Sequence, residues 1–415
     1  MKIAIVGAGI IGVATAYELS ADGHEVTVFE RRGAVAEEGS FSGAGLATAA
    51  WAAIGPGPAS ATRQWWRLLR GRSDPQWLGP RLRGLDWVRQ QVRAGRPGIW
   101  QEHQARLLAL SGYGQARLRT LTAALELEHD RAEGHLLLLR TPAERERLKP
   151  RLQWLLDAGV RVHALDAAAA RAIEPALGTE PPLEGALHFP DDDLGNTRQF
   201  ALLLRSEAQR RGAEFVFGAT VAALSPSSRP GWKLAGDPAP RSFDAVVVCA
   251  GAAAGLLLRP LGLRLPLAAV TGHAVNAPVR EPLAAPRSAV TEAASGISVS
   301  RVGQRIRVAG TSYLGRVGDT VRREALNRLY RTLQDWFPGA ATLSAGLQEW
   351  QGVRPALPGG VPVIGSGHQP GLWLNLGHGG SGWTTACSSA RLLADQIAGR
   401  TPEIDADAYA LRRLG

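Results

Sequence analysis

The chain has 415 residues, 45% hydrophobic and 20% charged, and its net charge of +10 comes almost wholly from arginine, since Lys2, Lys149 and Lys233 are its only lysines. That length allows two domains with sizeable cores, and no apolar run approaches the ~20 residues of a membrane-spanning helix. Two cysteines, Cys249 and Cys387, are too few for a disulfide scaffold or a cysteine metal site and fit buried thiols of a reducing, cytoplasmic compartment; the His residues show no ligand-like pairing, so no metal is expected.

The first segment, "MKIAIVGAGIIGVATAYELSADGHEVTVFERRG", opens like an export signal, but Gly7, Gly9 and Gly12 break its apolar run. Charge returns at Glu18 and Asp22 without a small-residue cleavage site. Ile3 to Val6 suit a buried parallel strand, and from Ile10 the apolar residues take helical spacing. A second strand, "EVTVFE", ends at Glu30, eighteen residues after Gly12. This is the strand, GxGxxG, helix, strand, acid order of a dinucleotide site. Gly7 permits the tight turn, Gly9 lets a pyrophosphate approach, and Gly12 lets helix and sheet pack closely. The helix N-terminus holds phosphate, and Glu30 accepts from the ribose.

"EEGSFSGAGLATAAWAAIGPGPAS" reads as a long loop beside a ligand. From Arg63 to Trp100, Arg is interleaved with Trp65, Trp66, Trp77, Trp87 and Trp100. Two readings stand: a lipid-headgroup surface on the inner face of the membrane, or helices that pack Trp inward and leave Arg in water, which is favoured. Helices are predicted through "RLLALSGYGQARLRTLTAALELEHD" and after Thr141, with strands at "GHLLLLR", "VRVHAL" and "GALHFPDDDLG". Asn196 caps the next helix. Strands follow at "AEFVFGATVAAL", "GWKLAG" and "SFDAVVVCAGAAAG", and strands dominate from Leu267 to Gly310 before a helix near Glu324 to Trp336.

The turn at Ala250 and Gly251 is too short to cradle a second pyrophosphate and is expected beside the first loop. "WLNLGHGGSGW" ends a strand at a glycine cluster that opens the last helix, whose N-terminus carries roughly half a positive charge. A nicotinamide has no need of that charge, whereas a reduced flavin does.

In order and spacing, Gly7, Gly9, Gly12, Glu30, "VVVCAGA", "WQGVRPALPGGVPVIG" and "LNLGHGGSGWTTA" resemble the D-amino acid oxidase superfamily of flavoproteins, closest to the bacterial D-amino acid dehydrogenase branch; "HFPDDDLGN" and "QRIRVAG" extend the likeness over nearly the whole chain. The resemblance implies an α/β fold: a Rossmann-type FAD-binding domain in three pieces (1–60, 191–265, 346–415) interleaved with an α+β substrate domain (61–190, 266–345) on an antiparallel sheet. It implies non-covalent FAD held by Gly7, Gly9, Ile10, Ile11, Gly12, Glu30, Arg31, Ser40, Gly45, Val221, Ala250, Gly251, Gly377, His378, Gly379, Gly380, Ser381, Gly382 and Trp383. It also implies oxidation of a D-amino acid to a 2-oxo acid and ammonia, with a quinone as acceptor.

Pro355 biases Arg354 toward extended backbone, which suits a bidentate grip on a substrate carboxylate; the plainer reading pairs Arg354 with a core carboxylate. His378 is read as shaping the flavin loop rather than as a base, and His273 as an amine-side contact or a plain sheet histidine. Gly43, Gly359, Thr271 and His273 stand where relatives tend to carry Asn, Asp, Lys or Arg, and Tyr. These departures keep open a relative that oxidises glycine, sarcosine or D-hydroxyproline. A nicotinamide dehydrogenase would need a second nucleotide unit, and a nucleic-acid binder a recognisable module.

Overall fold

The computed structural model describes residues 1–41, 43–49, 76–77, 85–226, 232–238, 241–315 and 322–414. The chain begins with β1 (Lys2–Val6), α1 (Ile10–Ala21) and β2 (Glu25–Glu30), then the short strands β3 (Leu46–Ala47) and β4 (Gln76–Trp77). Helices α2 (Leu85–Ala94) and α3 (Pro97–Ala124) lead to β5 (Ala132–Leu139), α4 (Pro142–Asp157), β6 (His163–Leu165), α5 (Ala167–Ile173) and β7 (Gly185–Leu194). Next come α6 (Thr197–Arg210), β8 (Glu214–Phe217), β9 (Ala223–Pro226), β10 (Trp232–Ala235), β11 (Ala245–Val248) and α7 (Ala254–Leu258). The long strands β12 (Ala268–Pro278), β13 (Ala289–Glu292), β14 (Ile297–Val302) and β15 (Arg305–Leu314) precede α8 (Arg323–Trp336). The chain closes with β16 (Gln348–Ala356), β17 (Val363–Ser366), β18 (Leu372–Leu376) and α9 (Gly382–Ile397).

The strands form two main sheets. One runs β17-β18-β11-β1-β2-β8 and is parallel apart from β17. Its strands are near-continuous apolar runs because helices cover them. The N-terminal helix α1 buries ten of its residues and packs against α6 and α9. Glu18, 1% exposed, receives Arg117 from α3 and Arg391 from α9. Burial raises its carboxyl above the ordinary range although both guanidiniums pull it down.

The other sheet runs β16-β12-β15-β14-β13-β5-β7-β3, with β4 against β15 and β6 against β7. It is antiparallel except where β13 meets β5 and β4 meets β15. Strand β16, although it lies beyond residue 346, pairs with β12 in this sheet, as Asp191 to Leu194 do through β7. Among the described strands the chain passes between the two sheets after β2, β7, β11 and β16, so the first, second and fourth passages fall at other residues than 60, 190 and 345. Asn196 caps α6 through the Gln199 amide. Of the Arg/Trp segment, Trp87 and Trp100 bury their rings, each 8% exposed, while Trp65 and Trp66 lie outside the described residues, as does the Trp77 side chain. No described helix is long and apolar enough to cross a membrane.

Candidate active site

The turn after β1 is glycine by necessity. Gly7 has φ +104°, and a Cβ there would lie 2.6 Å from the Cys249 carbonyl oxygen; one on Gly12 would lie 1.9 Å from the Gly7 oxygen. Both approaches are to backbone, so nothing nearby can yield. Gly9 starts α1 in extended geometry without a side-chain cap, and the Ile10 amide donates to Ser40 Oγ at 3.1 Å. The Glu30 carboxylate accepts from the Ala8 and Arg32 amides at 2.8 and 2.9 Å, which fixes it across the mouth of the turn. Arg31 forks onto Glu38. Burial pushes the Glu38 carboxyl up, but the Arg31 and Arg32 hydrogen bonds bring it below the usual range.

The second glycine turn follows β18. Gly377 and Gly379 take φ +84° and +54°, and α9 begins after Ser381 without a side-chain cap. His378 is buried, with Nε2 2.9 Å from Asn375 Oδ1 and Nδ1 2.9 Å from Thr385 Oγ1. Asn375 donates onward to Thr15 Oγ1, and Thr15 to the Ile11 carbonyl. This chain of bonds ties the glycine turn to the first turns of α1 and uses both ring nitrogens. Burial drives the His378 pKa down to about 3, so the ring is neutral and structural in its contacts.

Arg354 on β16 lies across Gly272 of β12: a Cβ on Gly272 would sit 2.9 Å from Nη2 and 3.3 Å from Cζ. Nη2 donates to the Thr311 carbonyl and to Ser312 Oγ at 3.2 and 3.0 Å. Nη1 is 3.6 Å from where a Cβ on Gly380 would be, so the guanidinium sits between β12 and the second glycine turn. Thr311 has φ +60°, which is costly for a β-branched residue, by roughly 1–3 kcal/mol. That conformation aims its carbonyl at Arg354 and its hydroxyl at His273 Nδ1, 3.0 Å away. His273 Nε2 is buried and has no hydrogen-bond partner among the described residues. Burial, with Arg322 and Arg354 nearby, lowers the His273 pKa to about 4.

One cavity of about 1470 Å³ joins these parts. Arg354, His273, His378 and every expected cofactor contact except Gly12 line it; Gly12 lies beneath, against Gly7. The residues present suit FAD. A glycine turn that no side chain can enter and an uncapped helix start meet an acid at one end, a second uncapped helix start stands at the other, and the volume exceeds the ~300–1,000 Å³ of ordinary ligand sites. Thr311, Ser312, Thr48 and His103 also line the cavity and were not anticipated from sequence. For His103 a signal existed in Gly359: a Cβ there would fall 2.0 Å from His103 Nδ1, so the missing side chain makes room for the ring.

A family model describing FAD dependent oxidoreductases (DAO) matches residues 2–396. The chain is 36% identical over 413 residues to a protein of Methylobacterium nodulans named D-amino acid dehydrogenase, covering 97% of each. It is 34% identical to one of the same name from Rhizobium johnstonii, over the full length of both. Among solved structures, glycine oxidase from Geobacillus kaustophilus superposes with a TM-score of 0.78 at 22% identity, covering 99% of this chain and 98% of that one. L-proline dehydrogenase from P. horikoshii gives 0.73 at 18%, covering 100% and 97%. Family match and relatives alike span the two glycine turns and the strand that carries Arg354, and the protein belongs to the FAD-dependent oxidoreductases.

Proposed function

We propose that the protein oxidises a D-amino acid to an imino acid, which water hydrolyses to a 2-oxo acid and ammonia, and that the electrons pass to a quinone-type acceptor. The observation that carries this reading is Arg354, held across Gly272 with its guanidinium between β12 and the second glycine turn. A planar, permanently charged fork in that place suits an α-carboxylate. The relatives' name, D-amino acid dehydrogenase, supports the configuration of the substrate, and the quinone-type acceptor is carried over from the family resemblance of the sequence.

FAD, when bound, supplies the two-electron acceptor for the substrate's Cα–H. The glycine turn at Gly7 to Gly12 and Glu30 would hold its pyrophosphate and ribose, and the start of α9 would face the ring. Arg354 fixes the carboxylate, and Thr311, strained to do so, fixes Arg354. His273 lines the cavity uncharged, and with its Nδ1–H donated to Thr311 Oγ1 it keeps Nε2 as an acceptor for the substrate amine.

A second reading, oxidation of glycine, sarcosine or D-hydroxyproline, draws on Trp350. Its ring folds over Gly352 on the face of β16 that carries Arg354 and narrows the wall beside the carboxylate site. Both readings are tested by incubating the holoenzyme with D-alanine, larger D-amino acids, glycine, sarcosine and D-hydroxyproline. Assays would follow 2-oxo acid and ammonia, with a soluble quinone under argon or with oxygen alone. Quinone-dependent product from D-amino acids supports the first reading; peroxide formed only from glycine or sarcosine supports the second; no product from any of them overturns both.

A further inference from the structure

A row of four polar side chains crosses the larger sheet from one cavity to another. Ser298 on β14 lines the 1470 Å³ cavity. Its Oγ lies 2.7 Å from Thr291 Oγ1 on β13, its register partner. Thr291 Oγ1 lies 2.9 Å from His135 Nε2 on β5, and His135 Nδ1 lies 3.1 Å from Asp192 Oδ2 on β7. Asp192 lines a second cavity of about 580 Å³, whose wall also carries the surface residue Arg161. His135 and Thr291 are wholly buried, and Asp192 and Ser298 are 3% and 6% exposed. Four adjacent strands each contribute one member. Polar side chains this deep in a sheet are costly unless fully bonded, and here each bond leads to the next.

The bonds also share one direction. A carboxylate only accepts, so His135 Nδ1–H donates to Asp192. The ring's other nitrogen then accepts from the Thr291 hydroxyl, which in turn accepts from Ser298. Every O–H and N–H along the row points away from the large cavity. We infer that Ser298, Thr291, His135 and Asp192 form a proton path that carries a proton released in the substrate cavity through the sheet to the second cavity.

The inference rests on the amino-acid reading above. A bound amino acid arrives as an ammonium and must lose one N–H proton before its Cα–H can leave as hydride. In the path that proton, directly or through one water, bonds to Ser298 Oγ. The Ser298 proton passes to Thr291, the Thr291 proton to His135 Nε2, and the Nδ1 proton to Asp192. The Asp192 carboxyl gives it to water in the second cavity, and reorientation of the hydroxyls and ring resets the row. No electrons move along it. Gln115 Nε2, 3.3 Å from Asp192 Oδ1, holds the carboxylate in place.

Thr291→Val keeps shape and removes the central hydroxyl, while Thr291→Ser restores it. With the flavin-loaded enzyme and its best amino acid, Thr291→Val should lower kcat about tenfold with KM nearly unchanged. It should also slow proton release, followed with a pH-indicator dye in a single anaerobic turnover, and with it the bleaching of the flavin that must follow deprotonation, and raise the solvent deuterium isotope effect. Thr291→Ser should return all three toward wild type. A ladder that serves only to set sheet register would lower thermal stability and leave the isotope effect and proton release alone. Folded, flavin-loaded Thr291→Val with unchanged kcat, isotope effect and proton release overturns the path. Should that variant fail to fold, Ser298→Ala at the cavity end decides by the same three readouts. A wild-type enzyme that no amino acid bleaches would instead overturn the reaction reading, and with it the source of the proton.

Discussion

Gly272→Ala adds one methyl group at the point where Arg354 lies flattest. The new Cβ would sit 2.9 Å from Nη2, 3.3 Å from Cζ and 3.5 Å from Nε. Ordinary contact needs a few tenths of an ångström more, and the atoms in the way are the far end of a flexible side chain. The fold therefore tolerates the change at small cost, while the guanidinium moves off Thr311 and Ser312. Misplacement of a substrate-positioning group by up to an ångström costs up to about a hundredfold, so kcat/KM should fall by roughly 10- to 100-fold with the loss shared between kcat and KM. Arg354→Ala, which removes a charge-assisted bidentate contact worth roughly 3 kcal/mol, should lose about a hundredfold. The assay is steady-state oxidation of the best amino acid, with flavin content and melting temperature measured alongside. Gly272→Ala with wild-type flavin content and kcat/KM within twofold of wild type would refute the placement of the carboxylate at Arg354.

Gly12→Ala should express without flavin, because its Cβ meets the Gly7 carbonyl at 1.9 Å and only backbone movement relieves the clash; a yellow, fully loaded variant contradicts this. Burial holds the His378 pKa near 3 against an ordinary 6.5, so below pH 6.5 the unfolded chain takes up a proton that the folded one refuses. Stability is then lost as pH falls from 6.5 toward 3, by about 2 kcal/mol at pH 5, and His378→Asn should flatten that limb of a pH series of denaturant melts. Arg391 on α9 bonds Glu18, Asp22 and Asp395, and Arg391→Ala should cost about 3 kcal/mol in denaturant unfolding by leaving buried Glu18 short of a partner; a change below about 0.5 kcal/mol contradicts it.

What was legible in the sequence is what close approach demands. Gly7 and Gly12 are glycine because backbone lies where a side chain would be, and that constraint surfaces as a spacing. The uncapped start of α9 is legible for the same reason, through the glycines before it. Thr311 was not legible: a β-branched residue is the wrong one for φ +60°, and only the bonds it makes to Arg354 and His273 account for it. The row from Ser298 to Asp192 was hidden because register between strands, not spacing along the chain, brings its members together. Trp87 and Trp100 bury their rings, as the favoured of the two readings of the Arg/Trp segment has it, and composition alone left the choice open because Arg and Trp suit a lipid surface equally well.

In the proposed reaction the cavity holds FAD within reach of an amino acid anchored at Arg354. Its most direct test is anaerobic mixing of the yellow holoenzyme with paired D- and L-amino acids, read as loss of flavin absorbance. The expected result is rapid bleaching by at least one D-amino acid, slow or no bleaching by its L-enantiomer, and loss of that bleaching in flavin-loaded Arg354→Ala. Bleaching by L-enantiomers alone, or bleaching that survives in Arg354→Ala at the wild-type rate, would contradict it.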